Sequence, residues 1–267
     1  MTRIDKVFRR LKEKGEKALI PFITAGDPDL ATSRRLALEI AARGADLLEL
    51  GIPFSDPLAD GPTIQASSSR ALKAGVHFHD VLNLAGSLRQ ETDIPLILMG
   101  YYNPILQYGL AAAAGEAARQ GVDGFIIPDL PLEEAANWRS ATRSAGIATI
   151  FLAAPTSGPE RLKALGRLTR GFLYYVSVTG ITGARTELPR ELIQELAEVR
   201  RLVSCPVAVG FGISTPEQVR SLAPHVDGVV VGSAIVQQVA RFAGPQTIRR
   251  IGDFVAALKA PLRPGAW

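Results

Sequence analysis

The sequence predicts a (β/α)8 barrel, and three features of the chain support this fold class. Eight short apolar runs recur along the 267 residues, with Gly, Pro or Asp at or near the end of each run. Segments with the helical spacing of apolar residues lie between the runs. The runs are continuously apolar, which is typical of parallel strands covered by helices. Eight such units favour a barrel over a doubly wound open sheet.

The first 16 residues predict an amphipathic helix ahead of the first strand. Ile4, Val7, Phe8 and Leu11 follow the i, i+3, i+4, i+7 spacing of one helix face. The formal charge of +4 equals the excess of basic residues in the first 17 positions. We expect this helix to cover one end of the barrel with its basic face outward, rather than to bind a membrane or nucleic acid.

The remaining elements follow in order. The predicted strands are residues 18–26, 47–53, 95–102, 124–129, 148–155, 172–178, 206–212 and 228–233. The long interval between the second and third strands can hold an additional helix within residues 70–90. Helical spacing also marks Leu188 to Val203 and Ile248 to Leu258. Because no linker or shift of composition interrupts this series, we expect residues 1–267 to form a single domain.

Composition excludes several classes of protein. A chain with 47% hydrophobic and 21% charged residues can bury a large core. The single cysteine, Cys205, excludes an internal disulfide and fits a reducing compartment, so we expect a cytoplasmic protein. No apolar run approaches the roughly 20 residues of a membrane span, and no basic patch interleaved with aromatic residues predicts nucleic-acid binding. His77, His79 and His225 do not supply a metal site, because residues two apart point to different sides of a helix.

Glu49 is the first candidate for catalysis. It stands between leucines in the second predicted strand, where burial would raise its pKa and suit it to exchange protons near neutral pH. A salt bridge to a helix outside the barrel is an equally acceptable interpretation. Asp56 and Asp60 follow in a loop whose Asp-Pro and Asp-Gly pairs are also common in turns. Two carboxyl groups in different surroundings can divide into an acid and a base.

A second group of residues predicts a phosphate site. Glycine-rich segments follow the last three predicted strands, at residues 179–183, 210–212 and 232–233. Backbone N–H groups at such glycines can approach an anion, and Ser233 would begin a helix there. The loops after the last two strands are the usual phosphate site of this fold, although simple turns would give the same pattern. In the sixth strand, one phenol of Tyr174-Tyr175 must point inward, for packing or for substrate contact.

With these residues assembled, the chain resembles the alpha subunit of tryptophan synthase over nearly its whole length. The resemblance rests on PFITAGDPD (21–29), LELGIPFSDPLADGPTIQ (48–65), YYNPI (101–105), IIPDLPLEE (126–134), TGITGA (179–184), VGFGIS (209–214) and VVVGSAIV (229–236). It implies retro-aldol cleavage of indole-3-glycerol phosphate to indole and glyceraldehyde 3-phosphate, with Glu49 and Asp60 as the catalytic pair. It implies no cofactor in this chain and a partner, the beta subunit, that carries pyridoxal phosphate in an α2β2 heterotetramer.

The resemblance also assigns individual positions. It implies substrate contacts at Phe22, Met99, Tyr174, Thr182, Gly183, Gly212, Gly232 and Ser233. It implies contacts with the beta subunit at Asp56, Asn103, Asp129 and Pro131. The chain has Val178 where many family members have arginine, which bears on closure of the loop after the sixth strand.

Three alternatives stay open at this point. The chain could release free indole without a partner, or act mainly as an allosteric binding subunit of the beta chain. Without the resemblance, another phosphosugar lyase or isomerase on the same barrel would fit the residues.

Overall fold

The computed structural model describes residues 1–176, 189–210, 212–241 and 245–267. Within this part of the chain, parallel strands form one sheet in the order β5-β4-β3-β2-β1-β9-β8-β7-β6. The strands are β1 (Ala18–Thr24), β2 (Leu48–Gly51), β3 (Leu96–Met99), β4 (Gly124–Ile126), β5 (Ala148–Ile150), β6 (Leu152–Ala153), β7 (Leu173–Val176), β8 (Val207–Gly210) and β9 (Gly228–Val231).

The sheet closes into a barrel at Phe151. This residue alone separates β5 from β6, so the two ends of the strand order belong to one interrupted strand. The carbonyl of Phe151 accepts a hydrogen bond from the backbone N–H of Tyr174 at 3.0 Å, which continues the pairing across the interruption. The predicted barrel of eight β/α units is therefore confirmed. The fifth strand, expected without a break over residues 148–155, is split and ends at Ala153.

Most strands are shorter than the apolar runs that predicted them. The run 47–53, for example, forms a strand only over Leu48–Gly51. Ile52 and Pro53 are buried although they lie beyond this strand. Apolar residues indicate burial rather than strand pairing, and the loops that leave a barrel can be buried without regular pairing. The apolar runs therefore extend beyond the strands. For the sixth strand, the structure gives 173–176, and the predicted residues 177 and 178 lie outside the described part of the chain.

Helices cover the outer face of the barrel. They are α1 (Arg3–Lys14), α2 (Leu30–Ala42), α3 (Pro62–Lys73), α4 (Phe78–Arg89), α5 (Tyr102–Tyr108), α6 (Leu110–Arg119), α7 (Ala136–Ala145), α8 (Pro159–Leu168), α9 (Arg190–Leu202), α10 (Pro216–Leu222), α11 (Ser233–Arg241) and α12 (Pro245–Lys259). Both α3 and α4 lie between β2 and β3, so the additional helix after the second strand is confirmed. Within the described residues, no helix has the length and apolar character needed to cross a bilayer.

Helix α1 packs under the barrel interior. Its buried face joins the inward side chains of the strands in one apolar core, and the rings of Phe8 and Phe172 lie 5.6 Å apart. Thr2 begins the helix through a capping box with Asp5. A second, larger core lies between the strands and the surrounding helices. The inner core fills the barrel toward the N-terminal ends of its strands, and a cavity remains at the C-terminal ends.

Three aspartates brace the N-terminal ends of the strands. Each of them lies just before one strand and accepts a backbone N–H from near the start of the preceding barrel strand. They are Asp46 before β2, Asp123 before β4 and Asp227 before β9. The donors are Leu19, Leu96 and Val207, each at 2.9 Å. Lys259 binds Asp46 at 2.8 Å, and Arg89 binds Asp123 at 2.9 Å. These contacts tie neighbouring strands together at the end of the barrel opposite the cavity.

Candidate active site

The candidate site is a cavity of about 280 Å³ at the C-terminal ends of the barrel strands. Every predicted substrate or catalytic residue that the structure describes lines this cavity: Phe22, Glu49, Asp60, Met99, Tyr174, Gly212, Gly232 and Ser233. Two other predicted residues, Thr182 and Gly183, lie outside the described part of the chain, as does Val178. The barrel thus brings together residues that are more than 200 positions apart in sequence.

Strand β2 determines the direction of Glu49. Leu48 and Leu50 belong to the outer core, and Leu47 belongs to the inner one, so alternation turns Glu49 toward the barrel interior. Its neighbours in the sheet register are Phe22 on β1 and Ile97 on β3. The side chain is fully buried, and neither carboxylate oxygen has a hydrogen-bond partner among the described residues. The alternative of a salt bridge to an outer helix therefore finds no partner in this part of the chain.

Burial has a direct electrostatic consequence for Glu49. Removing the carboxyl group from water disfavours its charged form, and this raises its pKa from 4.5 to about 8. At neutral pH the group is therefore mostly protonated and able to donate a proton. An unpartnered buried carboxyl is costly in a folded protein, so its presence is more easily explained by chemistry than by structure.

Asp60 has different surroundings. It lies half-buried in the loop between β2 and α3, where its backbone N–H donates to the carbonyl of Pro57 at 3.2 Å. Burial raises its pKa from 3.8 to about 6, and the nearby Tyr101 hydroxyl partly offsets that effect. At neutral pH, Asp60 is therefore mostly ionised while Glu49 is mostly neutral. The expected division of the two carboxyl groups into acid and base is consistent with these two environments.

Tyr174 is the inward phenol of its pair. Its side chain belongs to the inner core and lines the cavity, whereas Tyr175 points outward and donates to Glu195 at 2.9 Å. Burial and the nearby carboxylates of Glu49 and Asp60 raise the pKa of Tyr174 well above its usual value. The phenol thus stays protonated beside Glu49. A Cβ atom at Gly210 would lie 2.2 Å from the Tyr174 hydroxyl, so this ring position requires glycine there.

Phe22, Met99 and Val230 give the cavity an apolar wall. The Phe22 ring lies against the backbone of β2, and a Cβ atom at Gly51 would approach its Cζ to 2.5 Å. The absence of a side chain at Gly51 therefore leaves room for the aromatic ring. A flat apolar group can bind along this wall, close to both carboxyl groups.

Another part of the cavity lining suits an anion. Gly212, Gly232 and Ser233 line it together, and Ser233 is the first residue of α11. The carbonyl of Gly232 accepts from Ile235 and Val236, while the first backbone N–H groups of α11 have no acceptor within the helix. Gly212 has a φ of +75°, a conformation that favours glycine. Free N–H groups and a serine hydroxyl at a helix start can bind a phosphate.

The four predicted partner contacts lie on one arc of the barrel rim. Asp56, Asn103, Asp129 and Pro131 are exposed and follow β2, β3 and β4, which are neighbours in the sheet. Asp129 also accepts the backbone N–H of Tyr102 at 2.8 Å, at the start of α5. Leu58 lies in the same loop as Asp56 and is 95% exposed.

Sequence reasoning missed several residues around the cavity. Thr63 and Gln237 line it, and the Gln237 amide donates to the Thr63 hydroxyl at 3.3 Å, which joins α3 to α11. Tyr101 contacts the Asp60 loop through its hydroxyl. The position of Tyr101 at the end of the third predicted strand could have identified it, because polar residues there face the active end of a barrel. No sequence signal marks Thr63 or Gln237.

The lining of the cavity suits proton transfer to an aromatic ligand that carries an anionic group. It holds a neutral carboxyl, an ionised carboxyl, an apolar wall and an anion site. Among the described residues, no cluster of three or more His, Cys, Asp and Glu side chains could bind a metal. Carboxyl groups in these two environments can serve in general acid–base chemistry.

Comparisons with known proteins agree on one family. The family model described as tryptophan synthase alpha chain matches residues 8–259. The tryptophan synthase alpha chain of Citrifermentans bemidjiense is 51% identical over 266 residues, which is 100% of both chains. That of Thermoanaerobacter pseudethanolicus is 47% identical over 98% of this chain and 100% of its own. Subunit alpha from Legionella pneumophila superposes with a TM-score of 0.90 at 38% identity, covering 98% of each chain. Mycobacterium tuberculosis tryptophan synthase gives 0.91 at 34% identity, covering 99% of each.

Proposed function

Since this chain belongs to the tryptophan synthase alpha chain family, we propose how its own residues carry out the reaction of that family. The enzyme is a carbon–carbon lyase of tryptophan biosynthesis that cleaves indole-3-glycerol phosphate to indole and glyceraldehyde 3-phosphate. It works in complex with the beta subunit, which receives the indole.

In the proposed binding mode, the substrate spans the cavity. The indole ring lies along Phe22 and Met99, and the phosphate binds the N–H groups and hydroxyl at the start of α11. The glyceryl carbons then pass close to Glu49 on the barrel floor. Gly183 and Thr182 would add contacts from the loop after β7, although both lie outside the described residues.

In the proposed mechanism, Glu49 handles two protons in turn. Its neutral carboxyl donates a proton to C3 of the indole ring, which makes the ring a leaving group. The resulting carboxylate takes the proton of the adjacent glyceryl hydroxyl as the C–C bond breaks. The bond electrons return to the ring, the hydroxyl carbon becomes an aldehyde, and Glu49 is protonated again. Atoms and charge therefore balance without any other reagent.

Asp60 acts on the other side of the ring. Protonation at C3 places positive charge on the indole nitrogen, and the ionised carboxylate of Asp60 accepts or stabilises its N–H. Tyr174, which stays protonated, lines the same cavity as the two carboxyl groups. The observation that carries this assignment is the pairing of a neutral Glu49 with an ionised Asp60 in one cavity.

Further features of the assembly belong to the same proposal. The chain needs no cofactor of its own, because the reaction uses only proton transfers, and pyridoxal phosphate is carried by the beta subunit. The rim with Asp56, Asn103, Asp129 and Pro131 contacts that subunit in an α2β2 heterotetramer. The residues form one catalytic domain in the cytoplasm, consistent with the single cysteine.

The first test is release of indole from indole-3-glycerol phosphate by the purified chain, alone and with a beta subunit. Glu49→Gln should lower kcat at least 100-fold, because the amide cannot exchange the two protons. The affinity for a nonreactive substrate analogue that carries an indole ring and a phosphate group should change little. Glu13→Gln, on the exposed face of α1, is the matched control and should behave as the unaltered enzyme. Near-normal turnover by Glu49→Gln would contradict the assignment.

A further inference from the structure

We infer that Tyr101 is a positioning residue that holds the Asp60 carboxylate and the loop before it in their reactive arrangement. The inference rests on the role proposed above for Asp60. Tyr101 does not line the main cavity, so it acts on the reaction through Asp60.

The Tyr101 hydroxyl bonds the backbone of this loop beside Asp60. It accepts the backbone N–H of Ala59 at 2.9 Å, and its side chain lines the same small cavity as the next residue, Asp60. Because this N–H uses the phenol oxygen as an acceptor, the phenol keeps its own proton for donation toward the Asp60 carboxylate, which can only accept. One side chain therefore fixes the backbone before Asp60 and offers a donor to its carboxyl group. Tyr101 is only 4% exposed, so water competes weakly for these bonds.

The Tyr101 ring adds a contact at the other end of the loop. It stacks on Phe54, with 5.1 Å between ring centroids and 26° between planes. Phe54 and Asp60 stand at opposite ends of this exposed segment, which includes Pro57 and Leu58. Tyr101 therefore anchors both ends of the segment to the residues that follow β3.

The space beside Asp60 gives this anchoring a purpose. Asp60 lines the main cavity and also a much smaller cavity of about 10 Å³, which Tyr101 and Ser68 line as well. Because Asp60 faces the main cavity, packing from that side does not fix its carboxylate, and the Tyr101 hydroxyl offers a directional contact.

The charged and titratable groups around this pair define its pH behaviour. Tyr174 and Glu49 face Asp60 across the main cavity, and Asp129 lies near Tyr101. The Tyr101 hydroxyl lowers the pKa of Asp60, against the effect of burial. Removal of the hydroxyl should therefore make Asp60 harder to ionise, which moves the acid limb of the activity profile to higher pH.

The test is Tyr101→Phe, which keeps the ring and its stack on Phe54 and removes only the hydroxyl. We expect kcat to fall about tenfold with a smaller change in KM, and the acid limb of kcat to rise by about one pH unit. Carbon-13 NMR of the Asp60 carboxyl should show the same rise in pKa without any turnover. Tyr108→Phe is the matched control, since Tyr108 is 37% exposed and its ring contacts Phe78 away from the cavity.

Two results would overturn the inference. One is a kcat profile and an Asp60 pKa in Tyr101→Phe that match those of the unaltered enzyme. The other is a loss of turnover in proportion to lost thermal stability, with both pKa measurements unmoved, because that pattern indicates only a structural role. Asp60→Asn, measured alongside, separates the two proposals. If Asp60→Asn retains turnover, the catalytic role of Asp60 fails, while the NMR titration still decides whether Tyr101 controls its carboxyl group.

Discussion

At the scale of single residues, the site shows how surroundings divide two carboxyl groups into different roles. Glu49 is fully buried, has no hydrogen-bond partner among the described residues and has a pKa of about 8, whereas Asp60 is partly exposed, lies near the Tyr101 hydroxyl and has a pKa of about 6. The sequence could predict that Glu49 is buried, because leucines flank it. It could not predict the direction of the side chain, which depends on the register of β2 between β1 and β3.

These two environments predict a bell-shaped pH profile for kcat. Activity should rise as pH increases through about 6, where Asp60 loses its proton and can support the ring N–H. It should fall above about 8, where Glu49 loses the proton that it must donate. Turnover of indole-3-glycerol phosphate measured from pH 5 to 9.5 would check both limbs. An alkaline limb absent up to pH 9.5 would contradict the role of Glu49 as the acid.

At the scale of elements, the candidate site residues lie at or beyond the strand ends, and glycines there leave room for the side chains of Phe22 and Tyr174. The sequence predicted all the barrel strands from apolar runs and helical spacing, because burial on both faces leaves that pattern. It did not predict where strands stop, since buried loop residues such as Ile52 and Pro53 look the same in sequence. It also missed Tyr101 and Gln237, whose contacts come from elements distant in the chain.

Gly210→Ala tests the close approach between β8 and the ring of Tyr174. The added methyl group would lie 2.2 Å from the phenol oxygen, so the ring must shift within the cavity. We expect kcat/KM to fall roughly 10- to 100-fold with the fold retained, since small displacements near reacting atoms are costly. Gly158→Ala is the control, because nothing lies within 4 Å of a Cβ atom at that position. Steady-state kinetics and far-ultraviolet circular dichroism would measure both effects.

At the scale of the whole molecule, one end of the barrel holds the candidate site and the other end contributes stability. The cavity and the proposed partner rim lie where the strands end, and the bracing aspartates and α1 lie where the strands begin. Asp123 is an example of the stabilising role, because it binds Arg3 of α1, Arg89 of α4 and the backbone of Leu96. Such braces were not predicted from the sequence, since an aspartate before a strand also fits an ordinary turn.

Asp123→Ala should therefore lower stability without altering the chemistry. The change leaves Arg89 and the Leu96 N–H without their acceptor, and we expect a loss of about 3 kcal/mol in the free energy of unfolding. Asp253→Ala removes an exposed ion pair with Arg43 and should cost about 0.5 kcal/mol or less. Urea titrations would compare the two variants. Equal losses of unfolding free energy in the two variants, or a changed kcat in folded Asp123→Ala enzyme, would argue against this division between a stabilising end and a catalytic end.

The buried carboxyl of Glu49 also makes the stability of the fold depend on pH. A glutamate in the unfolded chain ionises near its usual pKa of 4.5, whereas in the fold it keeps its proton up to about pH 8. Between those values the native protein binds one more proton than the unfolded chain, so each step of one pH unit removes about 1.4 kcal/mol of stability. This loss is complete near pH 8, which is the pH above which the enzyme also loses its catalytic acid, so the proton on Glu49 links folding to catalysis.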